Sequence, residues 1–188
     1  MLAKPLLILG LMAIASSFEI PQGATDGVYR AYINESGNEV HELIPAGAID
    51  ISPREPMPHD ALSEGTWLAK RGQAWCGCGF GMDHGSCDAA NNALSKHLNN
   101  GPIINGGVAF YSVVGSSVAF LCNRDSFPAQ VFSGSVVIGA RQVTAACGYY
   151  IAGTWRVDGF KDMDYGYMNW YNGLNFCGNA ENSPQHHC

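Results

Sequence analysis

The sequence predicts an α+β fold stapled by disulfides, and three observations carry that prediction. Two stretches place apolar residues at helical three- and four-residue steps. Short β-branched, aromatic or extended stretches surround them. All seven cysteines (Cys76, Cys78, Cys87, Cys122, Cys147, Cys177 and Cys188) follow the dibasic pair Lys70-Arg71.

The elements follow in chain order. Ala74 to Phe80, AWCGCGF, reads as a short extended run. A helix is expected from Ser86, which can cap it, with Asp88 in the first turn, where the macrodipole favours an anion. Cys87, Ala90, Leu94 and Leu98 give that helix one apolar face, and Asn100-Gly101-Pro102 stops it. Val108 to Val114 and Val118 to Cys122 read as strands joined by a Gly115-Ser116-Ser117 turn. Arg124 to Gly134 reads as a polar loop. A second helix is expected over Gly139 to Ile151, with Ala140, Val143, Ala146, Cys147 and Tyr150 on one side and Gly153 at its end. Thr154 to Val157 gives a short strand, and Tyr165 to Phe176 adds a further strand or ordered loop. The order βαββαβ is the split βαβ, or ferredoxin-like, arrangement, an antiparallel sheet with two helices on one face.

The chain reads as a secreted precursor in three parts. Residues 1–17 resemble a signal peptide: Lys4, an apolar run from Leu6 to Ile14, then the small residues Ala15, Ser16 and Ser17. That run is shorter than the roughly 20 residues a membrane span needs, so no span is expected. Residues 18–71 read as an acidic, poorly ordered pro-segment. They hold nine acids against four bases and a run of prolines at Pro45, Pro53, Pro56 and Pro58. Asn34-Glu35-Ser36 is a glycosylation acceptor. Leu68-Ala69-Lys70-Arg71 reads as a cleavage site for a secretory dibasic convertase. Residues 72–188 read as the mature cysteine-rich domain. They carry seven acids and five bases, too few clustered cations for a nucleic-acid partner.

In a secreted domain of this size the cysteines read first as disulfides. Cys76 and Cys78, about 6–7 Å apart on one strand face, should bridge to different partners. Three bridges leave one cysteine over. Cys76, Cys78, His84 and Cys87 have a zinc-ligand spacing, and His186-His187-Cys188 is metal-friendly, but the oxidising compartment favours disulfides over both. No cofactor and no metal is expected. Glu181 is the only glutamate after Arg71, and no G-x-S-x-G elbow is present. His84 and His97 are the pair a ribonuclease-like acid/base mechanism would use. Asp162 and Asp164 read as turn formers, since calcium needs more oxygen ligands. Trp155, Tyr165, Tyr167, Trp170 and Tyr171 form an aromatic stretch that reads as core or as a contact surface.

The motifs WCGCGF, MDHGSCDAANNAL, SVVGSSVAFLCNRD, CGYYIAGTWRVDG and YGYMNW, with a terminal cysteine, resemble small secreted fungal effectors. The resemblance is to the secreted-in-xylem-type helper proteins that work in pairs, and more distantly to killer-toxin-like and necrosis-inducing secreted proteins. It covers Gly72 to Cys188. It implies a ferredoxin-like fold, no enzymatic activity, and virulence through association with a second effector or a host protein, with a homodimer and later entry into host cells also open. The alternatives are a toxin held inactive by its pro-segment and a small secreted ribonuclease-like hydrolase.

Overall fold

A computed structural model describes residues 18–45, 72–157, 162–178 and 185–188. The signal-peptide reading and the Lys70-Arg71 site lie outside the described residues.

The ferredoxin-like expectation is overturned. The described chain is mostly β: nine strands and two helices. The strands are β1 (Gly27–Ile33), β2 (Glu39–Ile44), β3 (Gly72–Gly81), β4 (Ile103–Ile104), β5 (Ala109–Val114), β6 (Ser117–Asn123), β7 (Ala129–Gln130), β8 (Ile151–Val157) and β9 (Met163–Asn169). The helices are α1 (His84–His97) and α2 (Ser133–Cys147). Seven strands form one antiparallel sheet in the order β2-β1-β5-β6-β9-β8-β3, while β4 and β7 pair separately. Two physical reasons explain the difference. β9 inserts between β6 and β8 and makes full ladders with both. β1 and β2 extend the sheet beyond β5 and come from the segment read as acidic and poorly ordered.

That segment is built into the core from residue 18 to residue 45. Phe18 and Ile20 are each 1% exposed, and Ala31 is fully buried. The apolar residues are sparse among the acids, but sheet pairing buries Val28, Tyr29 and Ala31, while Ile33 and Leu43 stay exposed.

The strand register assigns the two faces of the sheet. Ser112 Oγ donates to the Ala90 carbonyl of α1, Tyr167 hydroxyl meets Thr144 Oγ1 of α2 at 2.9 Å, and Gly139 of α2 sits against Tyr165. A Cβ at Gly139 would collide with that ring, so the helix approaches the sheet there only as glycine. The opposite face carries Tyr29, Tyr111 and Phe120 from neighbouring strands. It is covered by residues 18–20 and 174–177, which place Phe176 on the Tyr111 and Phe120 rings and Phe18 on Phe176.

α1 buries Cys87, Ala90 and Leu94, as the spacing predicts, and its C-cap Leu98 is also fully buried. Its N-cap is Asp83, whose carboxylate accepts the Ser86 N–H at 2.8 Å, and not Ser86 itself. α2 starts six residues before the predicted start and ends at Gly148, whose φ of 99° leaves the helical region.

Candidate contact surface and the fate of the cysteines

The cysteines form three disulfides: Cys76–Cys147, Cys78–Cys188 and Cys122–Cys177. Cys76 and Cys78 thus reach different partners, as expected. The odd thiol is Cys87, buried on the inner face of α1. Burial pushes it up to about 11, so it is a neutral packing residue rather than a nucleophile. The Cys-Cys-His-Cys zinc spacing is therefore dismantled by the bridges, and no cluster of three metal-ligating side chains occurs among the described residues. In the tail, His186 Nδ1 lies 2.9 Å from the Ala74 carbonyl, and Cys188 is tied to Cys78.

Cys87 gives a direct prediction. Native protein at pH 8 should resist iodoacetamide, with the thiolate fraction about 100-fold below that of an ordinary cysteine, and should take up one label per chain once unfolded. Rapid labelling of the native protein would place the odd thiol elsewhere. Because the folded thiol holds its proton longer than the unfolded one, the contribution is intact below pH 9 and is lost as pH rises toward 11.

The two histidines fall apart as a catalytic pair. His84 and His97 are the first and last residues of α1, about 20 Å apart along its axis. His84 stacks on Tyr150 with centroids 3.8 Å apart. His97 is half-buried; burial pushes its pKa down, and its Nε2 has no hydrogen-bond partner among the described residues.

The aromatic stretch divides. Tyr165 and Tyr167 are 4% and 3% exposed and belong to the core, which corrects their reading as contact residues. They point to the helix face because alternation along β9 puts them there. Trp155 and Trp170 are half-buried, each with an indole N–H that is unpartnered among the described residues. Tyr171 alone of the five is strongly exposed. Asn34 closes the β1–β2 turn, its side-chain carbonyl accepting the N–H groups of Ser36 and Asn38.

Asp162 and Asp164 do more than shape a turn. Asp164 is fully buried and accepts two hydrogen bonds from Arg156, at 2.7 and 2.8 Å, with Arg124 Nη1 at 3.4 Å. Asp162 meets Arg156 at 3.1 Å, and the Arg156 guanidinium lies 4.9 Å over the Trp75 ring. Burial pushes the Asp164 carboxyl up, and Arg156 pulls it back down.

The surface feature that sequence reading missed is a groove of about 710 Å³ between α1 and α2. Its floor is Cys87, Val136 and Tyr167, and its walls carry Asp88, Asn91, Arg141 and Thr144. At its mouth stand Tyr149 and Tyr150. Tyr149 is 82% exposed. Tyr150 is held at φ 55°, the one non-glycine residue with positive φ among those described. Three contacts hold it: its hydroxyl donates to Asp88 at 3.2 Å, its carbonyl accepts the Met82 N–H at 2.8 Å, and its ring stacks on His84. The available signal was Gly148-Tyr149-Tyr150, a helix-ending glycine followed by two aromatics.

No helix among the described residues is long and apolar enough to cross a membrane. Comparison with family models, with curated proteins and with solved structures found no match, so the reading of this surface rests on its own geometry.

Proposed function

We propose that the protein is a secreted fungal virulence effector without catalytic activity, acting by binding a second effector or a host protein. The observation that carries this reading is Tyr149, an exposed aromatic beside a residue fixed in a strained backbone conformation, at the mouth of the groove between the two helices. Local strain held by surrounding contacts points to a role beyond packing. Tyrosine offers large rigid area with a polar end, the residue type that anchors protein contacts. The motif resemblance and the three disulfides support secretion. The buried neutral thiol and the separated histidines support a non-catalytic role.

Capture with the secreted protein, residues 18–45 included, from infected plant tissue, followed by mass spectrometry, identifies the partner. Tyr149→Ala should then weaken its binding by about 2 kcal/mol, roughly 30-fold, at unchanged melting temperature. Arg141→Glu, on the groove wall, should weaken it as well. Full binding by both variants would remove this surface from the reading.

The second reading is a toxin controlled by its pro-segment, favoured because residues 18–45 cover the Tyr111 face. It requires that cell killing rise after cleavage at Lys70-Arg71.

A further inference from the structure

No cysteine lies before residue 72, so no disulfide ties residues 18–45 to the rest of the chain. They are held instead by strand pairing, aromatic packing and a short polar chain. β1 covers the edge of β5 in antiparallel register from Gly27↔Val113 to Ala31↔Ala109. Ile20 donates its N–H to Leu174 and accepts that of Gly173, both at 3.0 Å. Tyr29 lies flat on Tyr111 with centroids 5.0 Å apart, and Phe18 stacks on Phe176.

The polar chain crosses the same boundary. His41 Nδ1 meets the Tyr111 hydroxyl at 2.8 Å, and His41 Nε2 meets Glu39 Oε1 at 2.6 Å. Glu39 Oε1 also accepts the Glu19 N–H at 2.7 Å. Burial keeps the Tyr111 phenol protonated, and an ionised Glu39 carboxylate can only accept from His41 Nε2–H. At the far end of β1, Asp26 accepts the Gly115 N–H at 3.0 Å.

Without residues 18–45 the sheet would end at β5. That edge would present unpaired backbone groups beside Tyr111 and Phe176, both now fully buried. We propose that the β5 edge, with Tyr111 and Phe176, is a strand-accepting site whose ligand is residues 18–45 of this chain. A cut at Lys70-Arg71 then yields a two-chain, non-covalent protein and does not release the acidic segment. The two-chain state in the organism rests on the processing reading above; the site itself does not. It binds by strand addition, with main-chain hydrogen bonds for affinity and inward side chains for specificity.

The test uses the full secreted chain with Leu68 to Arg71 replaced by the recognition sequence of a site-specific viral protease. After complete cutting, native size exclusion followed by mass spectrometry should find both fragments in one peak at the elution volume of uncut protein. Separation of a free acidic fragment from a folded 72–188 fragment overturns the proposal. Ala31→Arg in the same background controls for non-specific sticking. It places a charge at a fully buried position of β1, so it should release the cut segment, and retention despite it counts against the site. The unmodified chain is treated separately with a dibasic convertase. Failure to cut there sinks the processing reading alone, because the viral-protease arm judges the site independently.

Discussion

Arg156→Leu is expected to lower stability by about 3–5 kcal/mol, the range for removing one partner of a buried ion pair. Asp164 has no solvent exposure, and Arg156 supplies both of its short hydrogen bonds. The substitution leaves it with Arg124 at 3.4 Å, and Trp75 also loses the guanidinium above its ring. Arg156→Lys keeps the charge but not the paired geometry and should fall between wild type and Leu. The sign of the pH dependence follows. Burial already pushes the Asp164 carboxyl up, and losing Arg156 pushes it further. An acid whose folded pKa is raised loses stability as pH rises from its unfolded value through its folded value. The deficit of Arg156→Leu should therefore shrink as pH falls toward the ordinary carboxylate range. Urea denaturation at several pH values measures this. A loss below about 1 kcal/mol, independent of pH, would show that Asp164 does not depend on Arg156.

Asp164 also shows where sequence reading stops. A lone D-x-D in a loop looks like turn chemistry, and nothing local says that Arg156 and Arg124 converge on it. Helix α1 was legible because Cys87, Ala90, Leu94 and Leu98 share one face whatever the sheet does. Helix α2 was legible only in its second half. Val136-Val137-Ile138 reads as strand by propensity, and Phe132 offers no side-chain cap, so packing against β8 and β9 decides. β1 and β2 were hidden by composition. Only a few of their residues are buried, while β1 pairing with β5 and β2 pairing with β1 supply the hydrogen bonds that make them strands. The sheet order depends on such long-range pairings, which no local period encodes. In the candidate contact surface, the exposure of Tyr149 follows from where α2 ends, which sequence reading placed at Gly153 instead of Gly148.

Cys122–Cys177 is expected to matter more than Cys78–Cys188. Replacing both of its cysteines by Ala should cost about 4 kcal/mol, and more than removing Cys78–Cys188. Loop length alone says the opposite: Cys78–Cys188 spans 110 residues and Cys122–Cys177 spans 55. Each doubling of a loop, however, changes closure entropy by only about 0.6 kcal/mol. Packing is the larger difference. Cys122 and Cys177 are each 2% exposed, and the bridge holds Leu174 and Phe176 against the sheet. Phe176 lies against Tyr111 and Phe120 at centroid distances of 4.8 and 5.6 Å. Phe18 stacks on it from the other side, so loosening residues 174–177 also loosens residues 18–20. By contrast, Cys188 is the exposed last residue. Calorimetry on the two double variants, with Cys87 left in place, ranks the bridges, and near-ultraviolet circular dichroism should show the aromatic signal collapsing only for Cys122→Ala with Cys177→Ala. A lower melting temperature for the Cys78–Cys188 variant would mean that chain entropy, not the seating of Phe176, sets the order.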